Sequence, residues 1–331
     1  MLDKSRPMTL GDIFSNSFVL IKNTILRNVI IAGVFLIPAA IIMAYGFEAF
    51  FKIIGLASHS VNKGGTANIN SKEMADIFLG LFAFIFTAVI FYLALMGAWI
   101  GILKTGCSEL EGRKLSVGDA FREIFSVTYL RCLGLFLVSL MVLIAFYILI
   151  IIAGMIYGAS GIFLIKFFAV LVIIALVLFM IYLMFLWYFA PVNIIYEFQG
   201  VLKAFSRSAF LVKGNWWKTF GTIFLISIVI GFASAIISTP ITFLFEWDFI
   251  SQFFKVITEQ PDMASNPELM LKIMKSFGFT YGLIIAISSI IQSLVYPLFY
   301  VVLYFNLKIT KNDFPVEINP DNEIVPEGPV I

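Results

Sequence analysis

Charge is scarce in this chain. Only 13% of its 331 residues are Asp, Glu, Lys or Arg, about half the share of an average soluble domain. Histidine is scarcer still: His59 is the sole one, in a polar stretch beside Ser58 and Asn62 that reads as an outer loop. A lone imidazole cannot act as acid and base in turn, and no carboxylate cluster accompanies it. Cysteine is limited to Cys107 and Cys132, whose spacing fits neither a metal site nor a redox pair. The nucleophile elbow, the phosphate loop and the HExxH zinc signature are missing. These absences point to a protein with no catalytic residues, no metal and no cofactor. A net charge of +2 gives no footing for a nucleic-acid partner.

What is abundant is apolar. Hydrophobic residues make up 61% of the chain, 37 of them Phe. They fall in six runs, 28–51, 77–103, 132–156, 167–196, 219–245 and 276–307. Each is long enough as a helix to cross a hydrocarbon layer about 30 Å thick. Strands of alternating polarity are absent, so helices must satisfy the backbone in lipid. The expectation is an all-α polytopic membrane protein of about six spans. Residues 1–311 form one integral membrane domain, with kinks at Pro38, Pro240 and Pro297.

Lys and Arg orient it. Fifteen of the 22 lie in one set of segments, including Lys22, Arg27, Lys104, Arg113, Lys114, Arg131, Lys203, Arg207, Lys213, Lys218 and Lys308. The other seven, such as Lys63, Lys166 and Lys272, fall in the alternate set. Both termini are therefore expected on the cytoplasmic side. A polar stretch precedes the first run and no small-residue cleavage site follows, so the N-terminus does not read as a cleaved signal peptide.

One short phrase occurs twice. Residues 14–22 read FSNSFVLIK and residues 205–213 read FSRSAFLVK. The head of the first copy, TLGDIF at 9–14, is matched by SVGDAF at 116–121. Both heads place an acid three residues after a hydroxyl, a capping-box arrangement with Asp in place of Glu. Three parallel repeat units explain this, about 8–103, 115–196 and 199–307, each a cytoplasmic amphipathic elbow helix followed by two spans. The expected apolar stripes are Leu10, Ile13, Phe14, Phe18 and Ile21; Val117, Phe121, Ile124 and Phe125; and Leu202, Phe205, Ala209, Val212 and Trp216. Such helices lie in the membrane interface, with Trp216, Trp217 and Lys218 as anchors. Parallel repeats of this kind imply an approximate threefold axis along the membrane normal.

Glu197 is the only acid between Ile124 and Phe245. A carboxylate alone among cations at an interface calls for a partner, and Arg207 or Arg131 is the expected one. Lys22, Arg27, Lys203, Arg207, Lys213, Trp216 and Trp217 are accordingly candidate contacts for lipid or a protein partner on the cytoplasmic face. The fifth and sixth spans carry hydroxyl and amide residues, among them Ser238, Ser289 and Gln292. These read as hydrogen-bonding glue between helices or as one wall of a polar groove. Residues 57–73 read as a flexible outer loop and 246–261 as a second interfacial helix. Ser265–Glu268 reads as the start of a helix that runs through the sixth span. The Pro-rich, acidic segment 312–331 reads as a disordered cytoplasmic tail.

The stretches RPMTLGDIFSNSF, YFAPVNIIYEFQGVLKAFSRSAFLVKGNWWKTFG and LYFNLKITKNDF together resemble a group of bacterial six-span proteins, the membrane domain attached to some glycerophosphoryl diester phosphodiesterases. That domain also occurs alone. Where the group usually has Asp-Leu-Arg, this chain has Asn306-Leu307-Lys308. The phosphodiesterase domain itself, with its His residues and carboxylates, is not in this sequence. The resemblance implies a location in the bacterial cytoplasmic membrane. Two functions are compatible with these readings. One is a non-enzymatic scaffold or accessory factor of membrane or envelope maintenance that binds lipid or a partner. The other is a passive carrier or channel for a neutral or lipid-like solute.

Overall fold

A computed structural model describes residues 6–62, 71–258 and 267–313. These residues form nine helices and no strand: α1 (Leu10–Asn62), α2 (Ser71–Leu110), α3 (Val117–Ile124), α4 (Val127–Ala159), α5 (Phe163–Leu186), α6 (Ala190–Tyr196), α7 (Val201–Val212), α8 (Trp216–Thr258) and α9 (Pro267–Thr310). Six segments are long and apolar enough to cross a membrane: Leu10–Ile54, Met74–Leu110, Val127–Ala159, Phe163–Tyr196, Trp216–Leu244 and Phe277–Thr310. The chain is an all-α protein with the build of a polytopic membrane protein.

Helix starts follow local chemistry. Thr9 and Asp12 cap α1 reciprocally, Thr9 N–H donating to the Asp12 carboxylate and Asp12 N–H to the Thr9 hydroxyl. At α3 the Ser116 hydroxyl accepts from Asp119 N–H and donates to its carboxylate. Helix α9 begins on Pro267 and runs unbroken to Thr310.

The first elbow is not a separate helix. Residues 10–27 are the opening turns of α1, which continues for 53 residues, about 80 Å. Nothing between Leu10 and Ile37 breaks a helix, because the only Gly residues are Gly11 and Gly33 and the only Pro, Pro38, comes later. The other two segments read as elbows are short helices of their own, α3 and α7. A capped link at Phe125–Ser126 divides α3 from α4, and residues 213–215, with Gly214 at φ 86°, divide α7 from α8. Residues 57–62 extend α1 and 71–73 begin α2, where a loop was expected over 57–73; 63–70 lie outside the described residues. His59 is therefore helical rather than in a loop. The interfacial helix expected at 246–261 is the continuation of α8 to Thr258.

Packing does not share the three hairpins equally. α1 lies along both α9 and α2, and these helices supply much of the core. In α4 and α5, by contrast, only Thr128, Cys132, Ala153 and Ala169 are fully buried; many of the hairpin's other apolar side chains are exposed, as lipid allows. The close approach of α1 and α9 depends on Gly278 and Gly282. A Cβ on Gly282 would stand 2.7 Å from Ala44 Cα, and one on Gly278 2.8 Å from the Phe47 carbonyl oxygen. Their four-residue spacing is the small-residue pattern that lets membrane helices touch backbone to backbone.

The stripes that face the core are rotated from those the apolar pattern suggests. In α1 the buried positions are Ile13, Ser17, Leu20, Thr24 and Asn28, while Leu10 and Phe18 are exposed. In α7 they are Ala204, Phe205, Ser208, Leu211 and Val212, while Leu202 is 75% exposed. Phe125 is likewise exposed. Small hydroxyl residues face inward because their O–H can bond a nearby carbonyl, as Ser17 and Thr24 do to the carbonyls of Ile13 and Leu20. In a lipid solvent large apolar side chains gain little by turning inward. The two copies of the repeated phrase bury the same positions, Ser17 with Ser208 and Leu20 with Leu211, and both leave Lys22 and Lys213 exposed.

Candidate functional site

The fourth apolar run is broken near its end. α5 stops at Leu186, and α6 starts at Ala190 with Pro191 in its first turn. A helix break inside an apolar run strands backbone groups. Ser208 of α7 recovers two of them: its hydroxyl accepts from Phe189 N–H at 3.0 Å and donates to the Leu186 carbonyl at 2.8 Å. Asn193 of α6 adds a bond from its side-chain amide to the Ala204 carbonyl. The short helices α6 and α7 are thus locked together, and the link between them carries Glu197.

Glu197 is the hub of this end of the bundle. Its carboxylate accepts from Arg207 Nε and Nη2 at 2.8 and 3.1 Å, from Lys308 Nζ at 2.8 Å and from the Tyr304 hydroxyl at 2.7 Å. Tyr304 and Lys308 are one turn apart on α9, so they meet the carboxylate together. The Glu197 side chain is 12% exposed and that of Lys308 6%. Arg131, the alternative partner, donates instead to the Phe198 carbonyl at 2.8 Å, which helps hold Phe198 at φ 53°. Burial by itself would raise the Glu197 carboxyl, but donors from Arg207, Lys308 and Tyr304 outweigh it and bring the pKa down to about 2. Arg207 is raised well above its ordinary value, chiefly by its hydrogen bond to Glu197. A carboxylate held this way is a poor proton acceptor at neutral pH.

Arg207 also pairs with Asp313. After Thr310 the chain turns through Asn312 at φ 51°, with Asn312 N–H bonded to the Ile309 carbonyl and Asp313 N–H to that of Lys308, a Schellman ending. The segment expected to be disordered from 312 is therefore fixed through Asp313; 314–331 lie outside the described residues.

Beside this network opens a cleft of about 870 Å³ between the end of α2, the α6–α7 link and the end of α9. Its cations are Lys104, Arg113, Lys114, Arg207 and Lys308, and its carboxylates Glu111, Glu197 and Asp313, a net charge of +2. Gly112, at φ 80°, ends α2 and turns Arg113 and Lys114 toward the cleft; a side chain with a Cβ would resist that backbone. Arg113 pairs with Glu111, and Lys104 stands 3.5 Å from Glu123 and 4.3 Å from the centroid of the Phe198 ring. Lys114 is exposed and has no ion pair among the described residues.

Of the residues singled out in the sequence, Glu197 and Arg207 come together in this cleft. Arg27 does not join them; it pairs with Glu109 at 2.5 Å and bonds the Leu115 carbonyl. Lys22, Lys203 and Lys213 are exposed outside it. Trp216 stacks on Phe220 and donates to the Tyr182 carbonyl, whereas Trp217 is 78% exposed. Ser238 and Ser289 bond carbonyls of their own helices, and Gln292 is half-buried. Two cavities lined by α8 and α9 hold about 10 Å³ each and include none of these three. Lys104, Lys114, Tyr304 and Lys308 were not evident as site residues. The one local signal was the four-residue spacing of Tyr304 and Lys308; the rest converge from distant segments.

A family profile described as a domain of unknown function, DUF7847, matches residues 21–307. It makes no connection to glycerophosphoryl diester phosphodiesterases. No curated protein matches the chain, and no solved structure does.

Proposed function

The chain belongs to the DUF7847 family, a domain of unknown function, and from that premise we propose that it is a non-enzymatic accessory or scaffold factor of membrane maintenance that binds anionic lipid. The observation that carries this reading is the cleft: about 870 Å³ with a net positive lining, at the end of the bundle where the basic segments gather. Arg and Lys donors converging on one space suit a phosphate-bearing headgroup. The Glu197 carboxylate, committed to cations, contributes architecture rather than acid–base chemistry. Asp313 on Arg207 is an internal competitor for the ligand's charge.

The test uses full-length protein purified in detergent. Phosphatidylglycerol should bind more tightly than phosphatidylcholine, as native mass spectrometry reads it. Lys104→Gln combined with Lys114→Gln should weaken that preference roughly tenfold, and Asp313→Asn should strengthen binding. Equal affinity for both lipids, unchanged in the Lys variants, would refute the headgroup site.

We place the basic end in the cytoplasm of a bacterial cell, with both termini inside. The asymmetry of Lys and Arg supports this orientation. A membrane-impermeant thiol reagent applied to intact cells should label Asn68→Cys and spare Asn322→Cys. Labelling of Asn322→Cys alone reverses the orientation, and labelling of both puts the termini on opposite sides.

A further inference from the structure

A second, apolar groove lies next to the cleft along α2. On α2 the cleft residues Lys104, Cys107 and Ser108 prolong a stripe that begins at Tyr92 and passes Leu95, Trp99 and Leu103 at three- and four-residue spacing. One face of one helix therefore runs from polar to apolar surroundings. On α6 the changeover falls between neighbours, Ile195 on the apolar side and Tyr196 on the polar side. The apolar part is a groove of about 330 Å³ between α2, α4 and α6, with Leu135, Phe136 and Ser139 as its α4 wall. Beside it, Leu137, Leu140 and Met141 are exposed, so the groove stands in a surface built for hydrocarbon. From Tyr92 to Leu103 the stripe rises about 16 Å, close to the roughly 15 Å depth of one leaflet's hydrocarbon.

We propose that groove and cleft are one site for a single anionic phospholipid, its phosphate among Lys104, Arg113 and Lys114 and one acyl chain lying along α2 against Trp99 and Phe136. This rests on the headgroup reading above and adds the chain to it. Charge complementarity at one end and continuity of the α2 face at the other select the occupant. A peptide would bring backbone N–H and C=O groups into an apolar groove with few partners for them. A free phosphate would leave the groove unused. Lys104 stands at the junction, one residue beyond Leu103, where the ester region of such a lipid falls.

The test reads Trp99. Its emission is isolated as the difference between the parent and Trp99→Phe, in detergent-solubilised full-length protein. Phosphatidylglycerol and phosphatidylcholine with the same brominated chains are compared, and soluble glycerol 1-phosphate is titrated separately. Trp99 should be quenched at roughly tenfold lower phosphatidylglycerol than phosphatidylcholine. Ser139→Phe, which fills the groove from α4, should abolish that difference yet leave glycerol 1-phosphate binding intact. Leu95→Phe, from the α2 wall, should do the same; loss of glycerol 1-phosphate binding identifies a misfolded variant, and the other variant then decides. If glycerol 1-phosphate binds but quenching shows no headgroup preference, or both folded variants keep it, the acyl site is wrong and the headgroup site stands. If neither glycerol 1-phosphate nor phosphatidylglycerol binds, both are wrong.

Discussion

Glu197→Ala should destabilise the protein by about 3 kcal/mol. The substitution removes the acceptor that Arg207, Lys308 and Tyr304 share. Two of these donors are cations, and that of Lys308 lies almost wholly out of solvent. Removing a carboxylate shared by several donors at a buried site costs more than losing a surface pair, which contributes about 0–1 kcal/mol. Arg207 retains Asp313, which keeps the estimate at the lower end of the range for broken buried pairs. Thermal melts in detergent provide the measurement. Arg207→Ala should cost less than Glu197→Ala, and the double variant should be little worse than Glu197→Ala, because the two residues act as one unit. If Glu197→Ala melts with the parent, the hub carries no load.

The same network has a pH signature. The folded carboxyl sits at about 2 against an ordinary 4.5, so its contribution is complete above pH 4.5 and fades as pH falls toward 2. The parent should lose melting temperature more steeply than Glu197→Gln on acidification through this window. Parallel curves would mean that the carboxylate is not held as the geometry describes.

Ser208→Ala should be at least comparably damaging, at about 2–6 kcal/mol. One hydroxyl serves two backbone groups at the α5–α6 break, the Phe189 N–H and the Leu186 carbonyl. Ser208 is fully buried, so water does not replace it without local opening, and each orphaned group costs about 1–3 kcal/mol. The removed atom is small, so the loss is not one of packing volume. Hydrogen exchange of the Phe189 amide gives a local reading beside the melt. Fast exchange with a lowered melting temperature is the expected result. A parent-like melt with a protected Phe189 amide would show that the break is satisfied some other way.

The solvent and the secondary structure were legible in the sequence. Six apolar runs dictate six helices because a backbone in lipid has to bond to itself. The capping residues Thr9, Asp12, Ser116 and Asp119 act over three residues, so they too can be read locally. Glu197 was identifiable because it is the one acid in a long cationic stretch, and Arg207 was near enough to be named as its partner. Separation in sequence marks where that reading ends. Tyr304 and Lys308 reach Glu197, and Asp313 reaches Arg207, each across more than a hundred residues, and Lys104, Arg113 and Lys114 join the cleft only because α2 ends beside α9. The inward faces of α1 and α7 depart from the apolar pattern for a related reason. Apolar periodicity finds a core when water is the solvent, but in lipid the inner face is chosen by hydrogen bonding and close fit, which depend on the neighbour. Composition and periodicity by themselves determined that the chain is helical and built to cross a membrane. Which residues form the cleft, the groove and the Ser208 stitch was decided by tertiary structure, because each is made of groups that meet only when distant helices pack.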